Sequence, residues 1–170
     1  MMIRSATPED VPGVLPMVRK IAAFHAAMDP AKYQTRGDPG EPYDGWLRSR
    51  ATDPRSVFLV AESANDSAAP PLVGFLVASV EKEIPIYRLR EFGLIHDLWV
   101  DEDYRHEGLA RQMVTLALER FVQIGVEQVR LYAAWDNAPA RALFDRCGFR
   151  PSSVEMLWQG RPAPVSPENS

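Results

Sequence analysis

The stretch Ile95-His96-Asp97-Leu98-Trp99-Val100-Asp101-Glu102-Asp103-Tyr104-Arg105-His106-Glu107-Gly108-Leu109-Ala110-Arg111 decides the reading of this chain. An apolar strand runs into an acidic turn, then a basic residue, then a small-residue elbow, then a long amphipathic helix. Gly108 lets the chain turn without a side chain in the way. The first N–H groups of a helix have no intrahelical partner and lie at the positive end of its dipole. A backbone elbow of this kind is built to hold an anion such as a pyrophosphate.

Outward from this stretch, Leu109, Met113, Leu116, Ala117 and Phe121 recur at helical spacing, and Gly125 closes the helix as a left-handed cap. Val126 to Trp135 reads as a strand. Asp136-Asn137-Ala138-Pro139 starts a further helix that ends at Gly148, and Phe149 to about Trp158 reads as a last extended stretch. On the amino-terminal side, Ile3 to Ala6 is a short strand. Thr7-Pro8-Glu9-Asp10 is a helix start, with a capping hydroxyl, a proline and first-turn acids. That helix is expected to reach Met28, with a break near Gly13 and Pro16. Residues 29 to 45 read as an irregular loop, and Tyr43 to Ala51 as a short helix. Val57 to Glu62 and Leu72 to Val80 are strands, joined by a polar hairpin loop over 65 to 71. Gly74 inside the second marks a bulge or a close backbone approach.

The fold class is therefore α/β (α+β): one domain over residues 1–158 around a single sheet, with a disordered tail expected over 159–170. A length of 170 residues suffices for one sizeable core. With 46% apolar and 25% charged residues the composition is that of an ordinary globular domain, and a net charge of −4 argues against nucleic acid as a partner. No run approaches the ~20 apolar residues that span a bilayer. The single cysteine, Cys147, excludes an intrachain disulfide, and Met1 to Ser5 lacks a signal-peptide core, so the cytoplasm is the expected compartment. No metal-ligand cluster is read from the sequence.

Two motifs resemble those of a known family. Arg105-His106-Glu107-Gly108-Leu109-Ala110 fits the pattern Arg/Gln-x-x-Gly-x-Gly/Ala. Asn137-Ala138-Pro139-Ala140-Arg141-Ala142-Leu143-Phe144-Asp145-Arg146-Cys147-Gly148-Phe149 resembles Asn-x-x-Ala-x-x-Leu-Tyr-x-x-x-Gly-Phe. In that order and spacing the chain resembles the GNAT superfamily of acetyl-CoA-dependent N-acyltransferases. The resemblance implies a central mixed, mostly antiparallel twisted sheet, flanked by helices and splayed between the fourth and fifth strands. It implies that the backbone of Leu98, Trp99 and Val100 pairs with the pantetheine arm of acetyl-CoA. The N–H groups of Arg105, His106, Glu107, Gly108, Leu109 and Ala110 would cradle its pyrophosphate, with Arg105 and Arg111 as phosphate contacts. Asn137 would contact the pantetheine arm or the acetyl end, or serve as a helix cap, or both. Ala140 would leave room for the cofactor. Homodimers are common in the family, which is analogy only.

Acetyl transfer to an amine needs a neutral nitrogen. An ammonium with a pKa near ~10.4 costs roughly 4.6 kcal/mol to deprotonate at neutral pH. Where many family members carry a glutamate, this chain has His96, read as a general base or water relay, or alternatively as a residue facing solvent or paired with a carboxylate. Strand alternation predicts that Asp97 points to the opposite face. The N–H of Leu98 would supply the oxyanion donor. Phe144 stands where the family often has the tyrosine that protonates the departing thiolate. Either the thiolate leaves unprotonated, or Tyr132 or Tyr104 acts. By the same resemblance His25, Asp29, Tyr33, Trp46, Tyr87 and Arg88 would line the acceptor pocket, with Glu91 and Glu81 as further acids. A coenzyme A-binding sensor without turnover is the alternative to an N-acetyltransferase.

Overall fold

A computed structural model describes residues 1–63 and 71–160. The strands are β1 (Met2–Ser5), β2 (Ser56–Glu62), β3 (Leu72–Lys82), β4 (Glu91–Val100) and β5 (Val129–Leu131). The helices are α1 (Val11–Met28), α2 (Pro30–Tyr33), α3 (Gly40–Thr52), α4 (Leu109–Ile124) and α5 (Ala138–Arg146). One sheet in the order β1-β2-β3-β4-β5 organises them, antiparallel from β1 to β4 and parallel between β4 and β5.

The central strands are apolar on both faces because both faces are covered. Phe58, Val60, Phe75, Val77 and Trp99 pack under Val11, Val14, Met17, Val18 and Ile21 of α1 and Leu47 of α3. The alternating residues Val57, Leu59, Leu76, Ala78, Ile95 and Val100 pack under Leu109, Met113, Val114, Ala117 and Phe121 of α4. The helical stripe read from the sequence is thus the buried face of α4, and Gly125 closes that helix at φ 88°.

Several boundaries differ from expectation. Helix α1 is unbroken: Pro16 lies on its exposed face, where the carbonyl that loses its partner meets water. The segment expected as an irregular loop carries the turn α2, capped by Asp29, and α3 begins at Gly40. The reason is Asp38, whose carboxylate accepts from the Gly40 N–H (2.9 Å) while Arg19 of α1 holds it through two hydrogen bonds (2.9 and 2.6 Å). Strand β5 is shorter than the expected 126–135, because β4 supplies ladder partners only from Gly93 to Ile95. No strand forms over 149–160, where residues 151–160 are exposed. A three-residue β5 gives such a strand little edge to pair with. Of the hairpin loop expected over 65 to 71, residues 65–70, and of the tail expected over 159–170, residues 161–170, lie outside the described residues.

Gly74 meets both halves of its expectation. The register shifts opposite it, between Ala61 and Glu62, and a Cβ there would lie 2.8 Å from the carbonyl oxygen of Trp99. That neighbour is backbone, so relief requires β3 and β4 to move apart. Gly74→Ala is expected to destabilise the fold by roughly 1–3 kcal/mol, read as a lower urea midpoint; an unchanged midpoint would contradict the close approach.

Candidate active site

The site is built from β4 outward. From Gly93 to Ile95 the strand is paired on both sides. From Asp97 to Val100 it is paired only with β3, and from His96 onward the β5 side of its backbone has no ladder partner. The expected splay lies here.

Beyond Val100 the chain makes a 3-10 turn over Glu102–Tyr104 and reaches the elbow. His106 (φ 67°) and Gly108 (φ 81°) both take left-handed backbone, a conformation uncommon outside glycine. Gly108 is the N-cap of α4 and no side chain caps the helix. The first helical bond runs from the Gln112 N–H to the Gly108 carbonyl (3.0 Å), so the N–H groups of Gly108, Leu109, Ala110 and Arg111 precede the ladder. Beside them lies a groove of about 540 Å³ lined by Gly108, Arg111, Gln112, Thr115 and Leu116. Arg105 is turned the other way. Its Nε donates to the Val100 carbonyl (2.9 Å) and its guanidinium lies 4.8 Å from the centre of the Trp99 ring, which ties the elbow back to β4.

The opposite edge of the site depends on a bulge. Val77 pairs with Asp97 and Ala78 with Ile95, so His96 is an extra residue in β4. A bulge breaks the two-residue alternation and re-aims side chains. Ile95 and Leu98 face α4, whereas His96 and Asp97 both face α3. The expectation that Asp97 turns away from His96 is therefore corrected: the inserted residue brings the two together.

On this face the Tyr43 hydroxyl donates to Asp97 Oδ2 (3.0 Å), and Trp46 sits edge-on to the His96 ring with centroids 5.1 Å apart. Ser79, buried on β3, lies 2.6 Å from His96 Nε2 and donates to Glu81 Oε1 (2.6 Å). Glu81 Oε1 is itself 3.6 Å from His96 Nε2. Burial lowers the His96 pKa, opposed by the charge of Glu81 and aided by Arg50. Burial raises that of Asp97 against the Tyr43 hydrogen bond, and raises that of Tyr43, with Asp97 adding to the effect.

The other expected residues are distributed as follows. Asn137 caps α5, accepting from the Ala140 N–H (3.2 Å). Phe144 packs against the α4-side core and edge-on to Phe149 (5.9 Å). Tyr132 is exposed. His25 and Tyr33 stack at 5.1 Å, and burial lowers the His25 pKa, with the charge of Lys32 acting in the same direction. Trp46 joins the His96 cluster. Tyr87 is exposed in the β3–β4 connection, Arg88 pairs with Glu127 (3.1 Å), and Glu91 pairs with Arg55 (2.6 Å) at the far end of β4. These last three are not brought to His96. Among the described residues no cluster of three His, Cys, Asp or Glu side chains forms a metal site, and no helix is long and apolar enough to cross a membrane.

A sequence model of the Acetyltransferase (GNAT) family matches residues 21–149, which include β4, the elbow and α5. The chain belongs to the GNAT acetyltransferase family. It is 31% identical over 107 residues to a mycothiol acetyltransferase of Corynebacterium aurimucosum, covering 62% of this chain and 34% of that protein. It is 29% identical over 122 residues to an uncharacterized N-acetyltransferase of Methanocaldococcus jannaschii, covering 68% of this chain and 47% of that one. The chain spans between a fifth and a third of the length of the mycothiol acetyltransferases it matches. The fold is also that of a GCN5-related N-acetyltransferase from Ralstonia eutropha, with a TM-score of 0.71 and 18% identity over 93% of this chain and 97% of that one.

Within this GNAT domain, sequence reasoning missed Ser79 and Tyr43. Ser79 had a signal: it is the one polar side chain in the otherwise apolar run Leu72 to Val80, two residues before Glu81 and hence on the same face. Tyr43 had none, since its meeting with Asp97 depends on the bulge.

Asp97 also makes a stability prediction. Its folded pKa is raised above the ordinary value of 3.8, so the native state binds the proton more tightly than the unfolded chain and loses stability as pH rises between the two values. Asp97→Asn removes that loss and keeps an oxygen for the Tyr43 hydroxyl. The variant is expected to melt higher than the parent at neutral pH, with the gain vanishing below about pH 3.8. A gain of equal size at both pH values would contradict the assignment.

Proposed function

We propose that this protein transfers the acetyl group of acetyl-CoA to an amine of a small molecule or peptide, by direct attack with both substrates bound. The observation that carries the reading is the half-paired run of β4, from His96 to Val100, leading straight into the uncapped end of α4. A pantetheine arm has amides that pair with a strand edge, and a pyrophosphate suits helix N–H groups. The backbone of Leu98, Trp99 and Val100 takes the arm. The Arg105 N–H is spent on the Glu102 carbonyl (3.2 Å), so the N–H groups from His106 to Ala110, with Arg111 at the groove, take the pyrophosphate, while Ala140 leaves room for the arm and Asn137 contacts it. Bound there, acetyl-CoA supplies the thioester carbonyl and the thiolate leaving group.

The acceptor approaches from the α3 side, where His96, Asp97 and Glu81 lie among Trp46 and Tyr43. Acids beside aromatic rings suit an ammonium, which aromatic faces also attract. His96 takes the proton from the acceptor nitrogen as that nitrogen bonds to the carbonyl carbon, and the Leu98 N–H donates to the carbonyl oxygen. Because burial lowers the His96 pKa below its ordinary 6.5, the ring stays neutral and able to accept a proton across neutral pH. Phe144 has no proton to give, and the thiolate, with an ordinary pKa near ~8.5, leaves as such. The reading places the reaction in the cytoplasm, consistent with the lone thiol of Cys147.

A panel of amines assayed for thiol release from acetyl-CoA tests this. Turnover on a primary amine is expected, whereas binding of acetyl-CoA without turnover on any amine would favour the sensor. With the amine found, His96→Ala is expected to lower kcat by about a hundredfold near neutrality. The loss should shrink as pH approaches the acceptor's own pKa, where little base is needed. A pH–rate profile unchanged by the substitution would remove His96 from the mechanism.

A further inference from the structure

We infer that Glu81 and Ser79 act as positioning residues that fix the tautomer of His96, so that Nδ1 and not Nε2 is the atom that accepts the proton. The inference rests on His96 being the base, and extends that reading to which nitrogen works and what aims it.

The argument is a count of hydrogens. A serine hydroxyl has one hydrogen to give. Ser79 Oγ is 2.6 Å from two atoms at once, Glu81 Oε1 and His96 Nε2. A carboxylate has none, so the hydrogen between Ser79 and Glu81 is the serine's. The hydrogen between Ser79 and His96 must then come from Nε2. The reverse assignment, with Ser79 donating to Nε2, would press two oxygen lone pairs together at 2.6 Å. The second contact agrees, since Glu81 Oε1 lies 3.6 Å from the same Nε2. Two acceptors converge on that nitrogen, and no described residue hydrogen-bonds Nδ1. The side chain keeps 23% of its surface exposed. The neutral ring therefore carries its hydrogen on Nε2 and a free lone pair on Nδ1.

Ring orientation is fixed as well. Trp46 stands edge-on to the imidazole from α3, and the bulge in β4 aims it. When Nδ1 takes a proton from the acceptor, the imidazolium keeps its Nε2–H on Ser79, with the Glu81 charge behind it. The proton later leaves from Nδ1, and neither Ser79 nor Glu81 changes protonation. The charges acting on the ring are Glu81 from β3 and Arg50 from α3, and the Tyr43–Asp97 pair shares its α3-side face. Removing the Glu81 charge therefore leaves burial, with Arg50 adding to it, unopposed and lowers the basicity of the ring.

The test combines nitrogen NMR of the ring in the intact protein with steady-state kinetics. In the parent protein the Nε2 resonance is expected in the protonated range and Nδ1 in the unprotonated range. Ser79→Ala should mix the tautomers and lower kcat by roughly tenfold or more, with the KM for acetyl-CoA unchanged. Glu81→Gln keeps an oxygen to accept from Ser79, so it should retain the tautomer while moving the acidic limb of the pH–rate profile to lower pH. A parent ring protonated on Nδ1, or tautomer populations unmoved in Ser79→Ala, would overturn the inference. The NMR readout needs no turnover, so it separates this outcome from a failure of His96 as base, which His96→Ala reports.

Discussion

Strand β4 is held on two sides as far as Ile95 and on one side beyond it, and the functional half of the molecule follows from that change. A parallel strand shares its ladder only while the two backbones stay about 4.8 Å apart. β5 gives β4 three residues and then leaves. What remains is a strand held in place by β3 and by the apolar layers above and below, with one edge unsatisfied. Unpaired backbone in a folded protein calls for a partner, and on the proposed reading that partner is the extended pantetheine arm.

The bulge at His96 lies at the same point, directly after the last residue that β5 pairs. One extra residue there turns two consecutive polar side chains onto the face where α3 waits with Tyr43 and Trp46, while Leu98 resumes the apolar alternation on the other face. The strand thus serves two chemistries by direction: its edge offers backbone groups, and its α3 face offers an imidazole and a carboxylate. Arg105 closes the arrangement mechanically. By bonding the Val100 carbonyl and covering Trp99 it fixes where the elbow leaves the strand, and so where the first turn of α4 points.

Much of this was legible in the sequence, for identifiable reasons. The amphipathic stripe of α4, the glycine elbow and the special backbone at Gly74 are patterns carried by residues close together in the chain. The same holds for the two motifs that carry the family resemblance. What was not legible depends on partners far away in the chain. The length of β5 is set by the divergence of β4, and the start of α3 by Arg19 holding Asp38. The facing of Asp97 depends on a register shift against Val77 and Ala78 that no alternation rule reveals. The role of Ser79, a polar residue in a core strand, likewise depends on His96 lying 2.6 Å away on the neighbouring strand.

The most direct test of the account is amide hydrogen exchange on the intact protein with and without acetyl-CoA. The account predicts that protection rises at the unpaired amides between His96 and Val100 and at Gly108 to Arg111, while the β2–β3 ladder is unaffected. Binding of acetyl-CoA that leaves both segments exchanging as before, with protection gained elsewhere, would contradict it.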